Sequence, residues 1–176
     1  QQHVAWGSRH DAVLGIGYRY TTNETRGSFA ASLSPSGRSE DVFGAFLQDE
    51  MSLADGQVRL TAGSKLEHND HTGFEFQPGV RLWWEARPQH AVWAAASRAL
   101  RVPSQADDDV RLNLGVTPPD PSGTVPLTLF AVVGGNLQPE ELSAFEVGYR
   151  GRPTDELLLD ATVFYNLYRG VRGARA

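Results

Sequence analysis

The 176-residue chain has no cysteine, so disulfides, thiolate metal sites and cysteine nucleophiles are excluded together. It has no run approaching 18 consecutive apolar residues, and therefore no candidate transmembrane helix. Basic excess is missing too: 16 Lys and Arg stand against 21 Asp and Glu, and no basic patch suggests nucleic acid as a partner. Neither a methionine nor a signal peptide opens the chain, and Gln1 is expected to be the start of a fragment. No spaced Ser/His/Asp set or paired carboxylates support a hydrolase, so the chain is not expected to be an enzyme. Gly15-x-Gly17 is not followed by a helix and is no nucleotide fingerprint.

What is present is alternation. From Gly73 to Arg87, Phe74, Phe76, Pro78, Val80, Leu82, Trp84 and Ala86 form one row. Glu75, Gln77, Gly79, Arg81, Trp83, Glu85 and Arg87 form the other. A strand sends successive side chains to opposite faces, so period two gives one apolar and one polar face, where a helix would mix them. The run is long for a globular strand. Thirteen of its residues, at about 3.3 Å each, amount to roughly 43 Å, or roughly 33 Å along an axis tilted by about 40°, enough to cross the apolar core of a bilayer. Phe74 and Phe76 near one end and Trp84 near the other stand where membrane barrels place aromatic girdles. The slightly negative mean hydropathy fits such strands, because alternation averages out.

Gln57 to Asp70 repeats the pattern, with Val58, Leu60, Ala62, Ser64 and Leu66 against Arg59, Thr61, Gly63, Lys65 and Glu67. Further strands are read at Val4–Trp6, Asp11–Thr22, Asp41–Ala54, Ala91–Arg101, Leu142–Arg152 and Leu157–Arg169, the last with Val163 outward. Asp49 breaks the apolar row of its strand. In the Ala-rich strand, Ala91, Trp93, Ala95, Ser97 and Ala99 are assigned outward and Arg98 inward. The fold class is thus all-β: an antiparallel up-and-down meander of about eight long strands, one partial barrel domain over residues 1–176.

Longer connections near 22–40, at Asn69–Gly73 and over 102–140 alternate with short turns. The proline-rich 102–140 segment is expected to be mostly loop. Membrane barrels sort short turns to one end and long loops to the other, which a soluble sandwich has no reason to do. The inward charges Arg59, Lys65, Arg81, Arg87, Arg98 and Arg150 interleave with Glu67, Glu75, Glu85, Glu146 and Asp160, and are expected to form ion pairs between strands. His68-x-x-His71 and Asp107-Asp108-Asp109 read as solvated loop residues; no metal site is expected.

Several stretches resemble the barrel of a TonB-dependent outer-membrane receptor. They are Phe46–Glu50, Leu60–Asn69, Gln77–Leu82, Ser97–Ser104, Asn136–Glu140, Phe145–Arg150 and Leu159–Asn166. Their order and spacing cover nearly the whole chain. The resemblance implies a barrel of about twenty-two strands with a plug, of which this chain is roughly a third. It also implies the outer membrane of a Gram-negative bacterium and uptake of a scarce ligand, an iron–siderophore complex or cobalamin. TonB would be the partner, contacted through a plug domain not in this chain. On that reading Leu60, Phe74, Phe76, Val80, Leu82, Trp84 and Val163 face lipid. Arg98, Arg101, Asp107, Asp108 and Asp109, in and beside the longest loop, are the candidate contacts to a small-molecule metal chelate. No cofactor is implied. Two alternatives stand beside it: a soluble or self-closed all-β binding module of eight strands, or association through open edges. Each edge left in hydrocarbon would leave about ten backbone groups unpaired, at a cost of tens of kcal/mol.

Overall fold

The computed structural model describes residues 2–70, 72–117, 122, 128–135 and 138–171; His71, Asn136 and Leu137 lie outside them. Eleven strands follow one another among the described residues. They are β1 (Gln2–Trp6), β2 (His10–Glu24), β3 (Ala31–Leu33), β4 (Gly37–Leu53), β5 (Val58–Asn69), β6 (Gly73–Arg87), β7 (His90–Arg101), β8 (Val110–Thr117), β9 (Thr128–Val133), β10 (Glu140–Thr154) and β11 (Leu157–Arg169). One short helix, α1 (Gln105–Asp109), precedes β8.

Eight strands form one sheet in the order β1-β2-β4-β5-β6-β7-β10-β11. It is the expected all-β antiparallel meander, and its members are long: 17 residues in β4 and 15 each in β2, β6 and β10. The remaining strands make a small sheet, β3-β8-β9. The chain divides into two units. The larger takes residues up to Arg19, Val42–Arg101 and those from Glu140 onward; the smaller takes Tyr20–Asp41 and Val102–Pro139.

Two expectations are corrected here. Among its described residues the 102–140 connection is not mostly loop, since it carries α1, β8 and β9; in the 22–40 connection, where Phe29, Ala31 and Leu33 read as able to extend a strand, β3 forms, and β4 begins at Gly37 rather than Asp41. Proline argued for loop, yet the short runs VRLNLGVT and TLFAVV are proline-free and β-branched enough to pair.

Register fixes the faces. Leu60 stands opposite Leu82, Ala62 opposite Val80 and Leu66 opposite Phe76, so one face of the β5–β6 hairpin is mostly apolar, interrupted by Ser64 opposite Pro78 and His68 opposite Phe74. The hairpin is closed by its own side chains. Asn69, buried, accepts the Thr72 backbone N–H at 2.8 Å on Oδ1 and donates from Nδ2 to the Thr72 hydroxyl at 2.9 Å. Gly73 then takes φ +76°, a backbone region that glycine enters freely.

The second correction concerns β7. Trp84 pairs with Val92, Leu82 with Ala94 and Val80 with Ala96, whereas Arg81 pairs with Ala95 and Trp83 with Trp93. The apolar row therefore continues through Val92, Ala94, Ala96 and Arg98. Ala91, Trp93, Ala95, Ser97 and Ala99 lie on the polar side, the reverse of the assignment made from the sequence. Alanine on both faces removed the period-two signal, and one misplaced tryptophan then flips every neighbour.

No second layer covers either face among the described residues of the larger unit. Ala91 and Trp93 are the only buried hydrophobic residues among those described, while Phe74 is 74% exposed, Val163 76%, Val80 45% and Leu82 43%. Leu60 is half-buried by its neighbours within the sheet. A soluble sandwich would bury these rows against one another. The eight strands also remain an open sheet with β1 and β11 at its edges, so the self-closed module is not what forms.

Candidate functional site

The polar face of the sheet holds an open depression of about 740 Å³, lined by Gln48, Glu50, Thr61, Lys65, Arg81 and Glu146 among others. Its floor is low because Gly63 stands opposite Gly79. A side chain at Gly63 would meet the Leu47 carbonyl at 2.9 Å. Alternation accounts for the polar lining: each of these residues is one step from an apolar neighbour that points the other way.

Beside the depression the polar face is knitted by rings rather than by the expected ion pairs alone. The Arg81 guanidinium lies 4.7 Å from the centre of the Trp93 ring, and Arg59 lies 5.6 Å from that of Trp83. Both are within cation–π range. Trp93 in turn covers Gly148, its register partner on β10, where a Cβ would collide with the indole. Phe46 covers Gly15 in the same way. Among the described residues, part of the expected charge pairing across strands is present. Arg150 binds Asp160 across β10 and β11, while Lys65 pairs along its own strand with Glu67.

Within the larger unit the predicted ligand contacts Arg98 and Arg101 do not converge. Arg101, on the polar face, holds Glu140 with Nη1 3.1 Å from Oε2, which ties the ends of β7 and β10 together. Arg98 is on the opposite face, where Nη2 lies 3.0 Å from Glu141 Oε2 and Nη1 donates to the Phe76 carbonyl. The three aspartates belong to the smaller unit. Asp107 accepts from the Ser104 backbone N–H and hydroxyl at 2.9 and 2.7 Å, a capping box for α1. Asp109 faces Arg38 with 3.5 Å between Nη1 and Oδ2, and its carbonyl accepts from Ser34 N–H. Asp108 lies with its backbone against Gly134. These carboxylates shape the small sheet; no group of three metal-ligating side chains is found among the described residues.

Sequence reasoning missed Arg38, which joins the 22–40 segment to the 102–139 segment inside the smaller unit. It also missed the use made of Asp49. His10 Nδ1 lies 2.7 Å from Asp49 Oδ2, a polar pair set within the apolar face. The break at Asp49 was the available signal, and only the β2–β4 pairing supplies the partner.

A family model described as TonB dependent receptor-like, beta-barrel matches residues 1–174. The chain belongs to this family. A comparison with curated proteins gives no match. Among solved structures, the siderophore receptor PirA from Acinetobacter baumannii aligns with a TM-score of 0.73 at 14% identity, over 95% of this chain and 25% of that one. A ferric enterobactin receptor (PfeA) mutant from Pseudomonas aeruginosa in complex with enterobactin gives 0.71 at 20% identity, over 95% and 25%. The siderophore receptor PirA from Pseudomonas aeruginosa gives 0.67 at 19% identity, over 94% and 29%. At such identities the likeness is one of fold. The chain spans about a quarter of the length of the first of these solved receptors. As part of a TonB-dependent receptor barrel, the eight-stranded sheet is a segment of transmembrane wall, and its two faces correspond to a barrel's exterior and interior. The family is one of transport receptors.

Proposed function

We propose that this chain forms wall and external loops of an outer-membrane receptor that takes up an iron–siderophore complex in a Gram-negative bacterium. Uptake would be driven by TonB through a plug domain. One observation carries the reading: a sheet of eight long strands has an exposed apolar row on one face, with no covering layer among the described residues. Leu60, Phe74, Phe76, Val80, Leu82, Trp84 and Val163 then meet acyl chains, and the depression around Lys65 and Arg81 faces the plugged interior. The siderophore receptors among the structural neighbours favour a metal chelate over cobalamin as the ligand. Within the smaller unit the Asp107–Asp109 segment, with Arg38 beside Asp109, supplies the proposed ligand-facing groups, because binding residues concentrate on loops held by a rigid scaffold; Arg101, at the start of that connection in the chain, is a separate candidate.

Substituting Leu82 or Val80 by Arg tests the facing. On a lipid-exposed surface near the midplane the change costs about 2–4 kcal/mol. The expected outcome is loss of the compact, heat-modifiable band on unboiled gels and loss of ferric-siderophore uptake. Normal assembly of both variants would contradict the reading.

A further inference from the structure

The pairing between β6 and β7 stops short of one end of both strands. It runs from Arg87 opposite His90 to Gly79 opposite Ser97, although β6 reaches back to Gly73 and β7 continues to Arg101. On their other sides both strands are paired to the end. β5 follows β6 as far as Asn69 opposite Gly73, and β10 follows β7 as far as Glu140 opposite Arg101. One sheet therefore ends as two separately paired groups, with a seam between residues 73–78 and 98–101. Pro78 explains where the ladder stops. It is the next residue beyond Gly79, it has no N–H to donate, and proline within a sheet is confined to edges and irregularities.

Continuing the register would set Arg98 opposite Pro78, Ala99 opposite Gln77, Leu100 opposite Phe76 and Arg101 opposite Glu75; none of these pairs forms. Arg98 takes the place of the ladder. Its Nη1 donates to the Phe76 carbonyl and its Nη2 lies 3.0 Å from Glu141 Oε2, so one side chain of β7 spans the seam to the β6 backbone and holds β10 as well. A guanidinium bonded to that carbonyl competes with the ladder for the same acceptor, and charge-assisted bonds are the stronger kind. We propose that the β6–β7 seam is a two-state closure: it stands open here, latched by Arg98, and release of Arg98 from Phe76 lets β7 zip onto β6 through Leu100 and Arg101. Zipping would bring Glu75 up to Arg101 on the polar face, across the strand from the Glu140 that Arg101 already binds. New ladder bonds and the Glu75 contact then favour the closed state, against the Arg98 bond and the missing N–H of Pro78, which favour the open one. Packed elements balanced in this way switch between two arrangements rather than deform continuously. Because Arg101 begins the 102–139 connection, the seam gives that connection two points of departure from the wall. The inference goes beyond the uptake reading and stands whichever face of the sheet meets lipid.

The test uses the intact receptor in detergent, followed by amide hydrogen exchange read by mass spectrometry of its fragments. In the wild type, fragments covering 75–77 and 99–101 should exchange faster than those covering 80–84 and 92–96, because unpaired backbone opens more readily. Equal protection would overturn the open seam. A hydrogen bond to a charged group is worth about a factor of ten or more in an equilibrium, so Arg98→Leu should slow exchange at the seam roughly tenfold and leave the paired ladder unchanged. Damage to the fold does not produce such a gain in protection. Pro78→Ala, which restores the missing donor, should protect the seam with Arg98 still in place. Gln77→Cys with Ala99→Cys sets two thiols opposite each other in the zipped register. That pair should oxidise to a disulfide faster, by the same factor, when Arg98→Leu is added. Unchanged or faster seam exchange with Arg98→Leu removes the latch, and the same result with Pro78→Ala removes the closed state. Cross-linking indifferent to Arg98 contradicts both.

Discussion

Gly148 has no side chain because Trp93 occupies the space where one would be. The indole is the midpoint of a short stack on the polar face, with Arg81 on one side and the β10 backbone on the other. Adding a side chain at Gly148 forces the ring to rotate, opens the Arg81 contact and strains a strand whose register is fixed on both sides. Gly148→Val should cost about 1–3 kcal/mol, the usual range for overpacking. It should lower the temperature at which the folded band converts on unboiled gels. Gly17→Val, where nothing lies within 4 Å of a built Cβ, is the matched control and should leave that temperature nearly unchanged. Equal shifts would remove the stacking account.

At the scale of elements, legibility followed chemical contrast. The β5–β6 hairpin was readable to the residue because Leu60, Leu66, Phe76, Val80 and Leu82 alternate with Arg59, Lys65, Gln77 and Arg81. The face of β7 was not, because Ala91, Ala94, Ala95, Ala96 and Ala99 occupy both sides and only pairing with β6 and β10 decides between them. Arg98 is a candidate ligand contact from its place at the root of the longest loop, and the register puts it on the opposite face from Arg101. Proline hid β8 and β9 inside a segment that reads as loop, and no sequence signal joins Arg38 to Asp109 across 71 positions. Strand pairing also says what the small sheet is not needed for. Arg101 stands directly opposite Glu140 and is bonded to it, so β7 and β10 already meet as a hairpin. Replacing residues 104–138 by a short Gly/Ser link should leave the barrel assembled, with its heat-modifiable band intact, and abolish ferric-siderophore binding to whole cells. Retained binding would move the ligand contacts elsewhere.

For the molecule as a whole, the eight-stranded sheet is stable only in company. Its edges, β1 and β11, each offer a row of backbone groups to a further strand, and its apolar face has nothing of its own to lie against among the described residues. In a complete barrel both needs are met at once, by neighbouring strands and by lipid. The adjacent tryptophans Trp83 and Trp84 report on this arrangement directly, since they point to opposite faces. Trp83 sits under Arg59, and Trp84 is half exposed on the apolar row. The deciding measurement is tryptophan quenching of the intact receptor in vesicles of brominated phosphatidylcholine, comparing Trp84→Phe with Trp83→Phe. The quenchable fraction should fall when Trp84 is replaced and stay unchanged when Trp83 is. A fall with Trp83→Phe, or with neither, would mean that the apolar row does not meet acyl chains.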